Sequence, residues 1–227
     1  MNNSHDCAGD TSRLRVQIHR FYDRVAPVYG FWSALFESRA AGRAYEVARL
    51  ARSERVLEVA VGGGEFFVEL AKTAGPERCM GVDLSAPMLA RTQRRMKAGG
   101  VAQHNLCRAS ALSLPFAEAA FDILFNLYMI DLLLESDVPP VLREFARVLR
   151  PGGRLILVSM AEQSRVVNAI WTWLYRRSPV MTGGCRPVPV IGILDANGWR
   201  IDLREIIIQG GFRSELIVAQ YSREGVQ

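Results

Sequence analysis

Three consecutive glycines, Gly62-Gly63-Gly64, follow the β-branched run Arg55-Val-Leu-Glu-Val-Ala-Val61 and precede Glu65-Phe66-Phe67. Glycines at a strand-to-helix turn let a ligand approach the backbone N–H groups of a helix N-terminus. About twenty residues further on, Asp83 closes a second apolar run, where a carboxylate can accept two hydrogen bonds from ribose hydroxyls. The pair points to a ligand that carries a nucleoside. A dinucleotide fingerprint requires a third glycine where Phe67 stands, and a phosphate loop requires a lysine where Glu65 stands, so NAD, ATP and GTP are disfavoured. Glu58 and Glu65, one carboxylate at each edge of the loop, suit a ligand with an amine and a positive sulfonium better than one with phosphates.

These residues need a frame that brings strand ends together, and the periodicity supplies one. Strands are predicted over 55–61, 79–83, 104–109, 121–127 and 153–160, alternating with helices over 65–74, 86–97 and 138–149. Such alternation specifies an α/β, doubly wound, mostly parallel sheet with helices on both faces. A short helix over 188–197 and strands over 199–208 and 212–220 follow, the strands joined at Gly210-Gly211 as an antiparallel C-terminal hairpin. The seven strands form one sheet. Upstream, apolar groups at helical spacing from 12 to 52 predict an N-terminal helical cap, residues 1–52, over the ligand-binding domain 53–227. A helical stretch over 163–177 and a Pro/Gly-rich loop over 178–188 form a lid-like insertion.

Val56-Leu-Glu-Val-Ala-Val-Gly-Gly-Gly64 resembles the first motif of class I S-adenosylmethionine-dependent methyltransferases, and Gly81-Val-Asp-Leu-Ser-Ala-Pro-Met-Leu89 resembles their second. Leu114-Pro115-Phe116, Phe121-Asp122-Ile-Leu and Arg147-Val-Leu-Arg-Pro-Gly-Gly-Arg-Leu155 match later motifs in the same order. Within the family the chain is similar to the ubiquinone/menaquinone C-methyltransferase-like (methyltransferase type 11) branch, through Tyr22-Asp23-Arg-Val-Ala26-Pro-Val-Tyr29. The resemblance implies a Rossmann-like fold, S-adenosylmethionine as cofactor and a site residue by residue. Glu58 faces the methionine amino group, and the amides around Gly62 and Gly64 approach the methionyl-sulfonium stretch. Asp83 takes the ribose hydroxyls, Leu84 packs on the adenine, Ser110 and Ala111 line the adenine edge, and Asn126 lies beside the methyl group. Met88 reads equally as pocket support or ordinary core. The family carries glycine at the position of Ala60, where an ordinary strand conformation is expected, since a left-handed alanine costs about 1–2 kcal/mol. Family members commonly have an acid where Ser110 stands. Quinone methyltransferases carry Phe-Gly-Leu-Arg-Asn where this chain has Leu127-Tyr-Met-Ile-Asp131.

Methyl transfer to carbon or oxygen also requires a base within about 3 Å of the proton it removes. Candidates on the acceptor side are His19, Tyr22, Tyr29, Tyr128 and Asp131, each with the alternative of shaping the pocket. The fourth strand ends in Asn126-Leu127-Tyr128-Met129 and lacks the prolines of amino-methylating DNA and glutamine enzymes. Twenty-six of the 28 basic residues are arginine, there are 23 acidic residues, and no run of five like charges exists. The net charge of +5 therefore brings no recognition stripe, and no specific nucleic-acid partner is expected. Between Glu162 and Asp195 no acid occurs, while Arg165, Arg176, Arg177 and Arg186 interleave with Trp171, Trp173 and Tyr175. Segment 163–188 reads either as a lid that accepts a lipophilic acceptor or makes peripheral membrane contact, or as a core-packing helix with solvated arginines.

A small-molecule acceptor is favoured, with a quinone precursor, a phospholipid amine or a natural product as the classes. A binding protein that holds the cofactor without catalysis is the alternative of a different kind. With 49% hydrophobic and 22% charged residues in 227, the chain is long enough for a globular core. The polar N-terminus and the absence of a long apolar run make a cytoplasmic protein, monomer or homodimer, the expectation. Cys7, Cys79, Cys107 and Cys185 stand far apart, which predicts reduced thiols and no metal centre.

Overall fold

The computed structural model describes residues 38–101, 105–161, 173, 177 and 188–222. Helix α1 (Ser38–Ala48) precedes β1 (Val56–Val59), α2 (Glu65–Ala74), β2 (Cys79–Asp83), α3 (Ala86–Ala98) and β3 (Leu106–Arg108). Then come β4 (Phe121–Leu127), α4 (Val138–Val148), β5 (Leu149–Met160), α5 (Val190–Ala196), β6 (Trp199–Gln209) and β7 (Phe212–Tyr221). The strands form one seven-stranded sheet in the order β3-β2-β1-β4-β5-β7-β6. β1 to β5 pair in parallel, and β7 runs antiparallel between β5 and β6. This is the doubly wound, mostly parallel sheet with an antiparallel C-terminal hairpin expected from the alternation, and it is the architecture that the resemblance to class I methyltransferases implies.

The parallel strands are apolar on both faces because helices cover both. Leu57, Val59, Leu124, Leu155, Leu157, Ile217 and Ala219 point to one face, where they meet Val141, Leu142 and Phe145 of α4 and Val190 and Leu194 of α5. Their alternates Val56, Ile123, Phe125, Ile156, Val158, Leu216 and Val218 meet Phe67, Leu70 and Ala71 of α2, Met96 of α3, and Ala40, Ala44 and Ala48 of α1. The three alanines recur every fourth residue, so α1 presents one small-residue face to the sheet. Arg43 of α1 makes a two-pronged pair with Glu205 of β6, with both N···O distances 2.8 Å. Each fully buried Leu or Phe contributes about 1.5–3 kcal/mol over exposure.

Turn chemistry sets where the elements stop. Ser85 caps α3 by accepting from the Met88 N–H at 3.4 Å, with Pro87 in the first turn. Gln209 pairs with Phe212 across Gly210 and Gly211, both at positive φ (56° and 82°), as a two-residue hairpin of the primed type requires. β5 begins at Leu149 and not at 153. A bulge at Pro151-Gly152-Gly153 shifts its register on β4, and a Cβ on Gly153 would lie 2.9 Å from the Arg150 carbonyl. Asp122 anchors this corner, accepting from the Arg55 amide at 2.6 Å and from Arg150 Nε at 2.7 Å.

β1 stops at Val59, two residues before the expected end, and here the structure corrects the sequence. Ala60 lies at φ 67°, in the left-handed region, and not in a strand conformation. Its amide and that of Val61 both donate to the Val82 carbonyl, at 2.7 and 3.1 Å. One carbonyl serving two successive amides ends the ladder and turns the chain out of the sheet. The Leu114-Pro115-Phe116 motif is held by Arg147, which donates to the Phe116 and Leu114 carbonyls at 2.8 and 3.0 Å and pairs with Glu144 at 2.7 Å. Glu144 in turn accepts from the Leu114 amide at 2.6 Å. The Arg147 guanidinium, followed by that amide bond, holds the Glu144 carboxyl below its ordinary range. Cys79 and Cys107 are free thiols, and burial, with Glu58 and Glu77 nearby, pushes Cys79 up to about 12. No helix among the described residues is long and apolar enough to cross a membrane.

Ala60→Gly relieves the left-handed strain, less the added backbone freedom of the unfolded chain, and is expected to raise stability in urea by roughly 0.5–1 kcal/mol. Arg147→Ala is expected to lose about 1–3 kcal/mol at neutral pH, since two carbonyls and a carboxylate lose a charged donor. A carboxyl depressed in the folded state stabilises above its unfolded value of about 4.3. The wild-type advantage over Arg147→Ala should therefore shrink as pH falls from about 4.3 through the folded value, measured by urea unfolding across pH.

Candidate functional site

β1 has β2 on one side and β4 on the other, so the chain's crossovers leave it in opposite directions. Ligands in open α/β sheets occupy the crevice beyond the strand ends at such a switch point. The loop 60–64 runs across this crevice. Gly62 and Gly64 lie at φ 51° and 81°, and Gly64 begins α2. Gly64 is required twice over, since a Cβ there would also lie 2.6 Å from Thr92 Cγ2 and 2.8 Å from Thr92 Cα.

Asp83, at the end of β2, ties the loop to α3. One carboxylate oxygen accepts from the Gly62 amide at 2.9 Å and the other from the Ser85 amide at 2.8 Å. A carboxylate offers about four acceptor positions, and these two amide bonds fix its orientation at the mouth of the crevice. From the far side, Thr92 Oγ1 donates to the Gly62 carbonyl at 2.9 Å, and Arg95 Nη1 to the Gly63 carbonyl at 2.5 Å. Arg95 also pairs closely with Glu65. Sequence reading did not find Thr92 or Arg95. Both lie about thirty positions from the loop on an amphipathic helix, and only their three-residue spacing on one helix face hints at a shared target.

Two cavities adjoin at this crevice. The first, about 240 Å³, is lined by Ala60, Gly62, Asp83, Leu84, Met88, Ser110 and Ala111, and continues along Leu112, Met129 and Leu132–Leu134. Leu84 is 42% exposed on the wall of this cavity, where a flat apolar ligand can cover it. Ser110 Oγ accepts from the Leu112 amide at 3.2 Å. The second cavity, about 520 Å³, is lined by Glu58, Ala60, Gly62, Gly63, Glu65, Phe66 and Glu69, and by Ser38, Ala41, Gly42 and Tyr45 of α1. Ala60, Gly62, Leu127 and Tyr128 line both.

Glu58 is the electrostatic outlier. Its residue is 2% exposed, and Oε2 has no hydrogen-bond partner among the described residues. Burial, followed by the like charges of Asp83 and Glu65, holds its carboxyl well above the ordinary range. A buried carboxyl of this kind on a cavity wall is matched to a cationic group that restores its charge.

The remaining expected residues are distributed unevenly. Gly64 and Asn126 line neither cavity. Alternation along β4 turns Asn126 toward the core of the α4 face, fully buried, its Nδ2 donating to the Val59 carbonyl at 3.0 Å. Tyr128 stands where the cavities meet, at φ 57°, with its amide donating to the Val158 carbonyl at 2.7 Å. Its hydroxyl lies 2.7 Å from Ser214 Oγ on β7, a partner 86 residues away that no local signal could reveal. Asp131 is 1% exposed, accepts from the Met160 amide at 2.8 Å and lines neither cavity. His19, Tyr22 and Tyr29, the 1–37 part of the expected cap, and nearly all of 163–188 lie outside the described residues. Among the described residues no cluster of His, Cys, Asp and Glu could hold a metal ion.

Residues 56–153 match the family model described as a methyltransferase domain. The chain is 27% identical over 147 residues to the demethylmenaquinone methyltransferase of Bacillus velezensis, covering 64% of this chain and 61% of that protein. It is 34% identical over 161 residues to the ubiquinone/menaquinone biosynthesis C-methyltransferase of Syntrophotalea carbinolica, covering 68% and 65%. The chain thus spans less than two thirds of the length of either relative. Among solved structures, the crystal structure of the cyclase SpnF superposes with a TM-score of 0.72 at 18% identity, over 90% of this chain and 95% of that one. Sheet order and motif order give the described residues the class I S-adenosylmethionine-dependent methyltransferase fold, and these relatives make the chain related to the ubiquinone/menaquinone methyltransferases.

Proposed function

We propose that this protein transfers the methyl group of S-adenosylmethionine to a small lipophilic acceptor of the quinone-precursor class. The observation that carries the reading is the arrangement of two carboxylates around one glycine loop. Asp83 opens on the apolar first cavity, and the buried Glu58, with an unpartnered oxygen, opens on the second. An adenosyl moiety fits the first, with hydroxyls on Asp83 and a ring on Leu84, Ser110 and Ala111. A methionyl ammonium fits Glu58, which lies across the shared Ala60–Gly62 edge. Gly64 buttresses the loop from α2, and Met88 backs the wall.

Bound S-adenosylmethionine supplies an electrophilic methyl group on a sulfonium. Displacement at that carbon needs nucleophile, methyl and sulfur in line in a site poor in water, so the chain's task is mainly positional. Leu127 and Tyr128, on the walls of both cavities, stand where the two ligands meet. The Tyr128 side chain is fixed by Ser214, and Asp131 holds the following turn to β5 through the Met160 amide. An acceptor enters along α1, past Ala41, Gly42, Tyr45 and Phe66. Neither cavity has a lysine or arginine among its described lining residues, which favours an acceptor without phosphate and argues against nucleic acid. The demethylmenaquinone and ubiquinone/menaquinone methyltransferases among its relatives support the same class.

The test is incubation of the full chain with methyl-labelled S-adenosylmethionine and either demethylmenaquinone or a cell extract, with Asp83→Ala as control. Label in the organic fraction that depends on Asp83 is the expected outcome. Label confined to small aqueous products contradicts a lipophilic acceptor, and cofactor binding without label in any fraction contradicts catalysis.

Glu58 yields a prediction with two opposite signs. A carboxyl whose folded value is raised stabilises below its unfolded value of about 4.3, and that contribution is lost as pH rises toward the folded value. Glu58→Gln is therefore expected to raise the Tm of the unliganded protein at neutral pH, with a gain that grows as pH rises from about 4.3. The same variant should weaken S-adenosylmethionine about 10- to 100-fold through loss of a charged hydrogen bond. Wild-type affinity should fall at lower pH, where Glu58 must release a proton to meet the ammonium. Calorimetric titration and thermal unfolding across pH measure both signs.

A further inference from the structure

Two carbonyls of the glycine loop, those of Gly62 and Gly63, are bound by side chains of α3, a set of residues that lines neither cavity. We propose that Thr92 is a positioning residue for the cofactor, assisted by Arg95, and that its hydroxyl sets the Gly62 peptide so that Asp83 is held for the ribose. The inference rests on the reading of these cavities as an S-adenosylmethionine site.

Thr92 is fully buried, and its Oγ1 donates to the Gly62 carbonyl at 2.9 Å. The Gly62 amide donates to Asp83 Oδ2 at 2.9 Å. Gly62 is thus gripped at both ends, by a side chain of α3 behind it and by the carboxylate of β2 in front. The two bonds fall on the successive peptide units that flank the Gly62 Cα, so together they fix its backbone rotation, while the Ser85 amide at 2.8 Å pins the other oxygen of the carboxylate. One turn along α3, Arg95 bonds the next carbonyl, Gly63, and pairs with Glu65 at the start of α2. The loop cannot slide sideways, since Gly64 lies directly on Thr92 with no room for a Cβ. A threonine on a helix face normally satisfies its hydroxyl within its own helix. This one instead reaches across to the loop, and its isosteric replacement by valine leaves the Gly62 carbonyl without its donor.

The experiment measures the Kd of S-adenosylhomocysteine, an unreactive probe, by titration calorimetry on the full-length wild type, Thr92→Val, Thr92→Ser, Arg95→Gln and Asp83→Ala. Thr92→Val is expected to raise Kd roughly tenfold, the equivalent of one hydrogen bond, while Thr92→Ser, which keeps the hydroxyl, stays within about twofold of wild type. An unchanged Kd in Thr92→Val overturns the proposal, and so does equal weakening by Thr92→Ser, which would assign the effect to methyl packing. Should Thr92→Val fail to fold, Arg95→Gln decides: a weakened Kd at a near-wild-type Tm supports the clamp, and an unchanged Kd overturns it. Wild-type protein that does not bind the probe overturns the cofactor reading and this inference together. Binding that Asp83→Ala abolishes and Thr92→Val leaves intact overturns this inference alone.

Discussion

The carboxylate of Asp83 is the constraint on which the rest of the site depends. It stands at the end of β2, accepts one amide from the glycine loop after β1 and one from the turn into α3, and so fixes the relative height of two crossover connections. Backbone N–H groups left at strand and helix ends require partners, and a charged acceptor at hydrogen-bond distance from two of them is a stronger tie than water. The loop's shape follows from that tie, from the shared Val82 carbonyl that turns Ala60 out of the sheet, and from Thr92 and Arg95 behind it. The cavities are what remains in front of the loop once these bonds are made.

Three features of the crevice are unfavourable in isolation: the left-handed backbone of Ala60, the left-handed backbone of Tyr128 and the buried carboxyl of Glu58. Strain of order 1–3 kcal/mol per residue persists only where surrounding structure over-determines it. Here the surroundings are a sheet whose central strands are buried on both faces, with Phe125 of the sheet and Phe67 and Phe145 of the helices packed on it among the fully covered side chains. The large double-sided core offsets a site built from conformations and charges that would not hold by themselves. Such concentration of strain and perturbed charge where two cavities meet is what a binding crevice requires and a purely structural turn does not.

The alternation of β-branched runs and amphipathic stretches made the sheet and the hairpin legible, because periodicity and Gly-Gly turn chemistry are local properties; the strand order, and with it the switch point, came from the structure. The glycine loop and Asp83 were legible for the same reason. Ala60 was misread because residue type argued for a strand, while its conformation is dictated by a carbonyl of the neighbouring strand, at Val82. Thr92, Arg95 and Ser214 were invisible, since their roles depend on contacts across about 30 to 86 positions. The bulge at Pro151-Gly152-Gly153 was likewise hidden, since the fifth strand was expected to begin only at 153. Family resemblance supplied roles for Glu58 and Asn126. The structure lines a cavity with the first and turns the second into the core, because strand alternation gives the two positions opposite faces.

The proposed function requires the two cavities to be a single crevice in which one ligand bridges Asp83 and Glu58. Diffraction from crystals of the full chain grown with S-adenosylhomocysteine tests this most directly. Continuous density across the glycine loop is expected, with ribose oxygens on the Asp83 carboxylate, the ring against Leu84 and the amino group facing Glu58. Density for the molecule elsewhere on the protein, or in this crevice with the adenosyl and amino-acid ends exchanged, would contradict it.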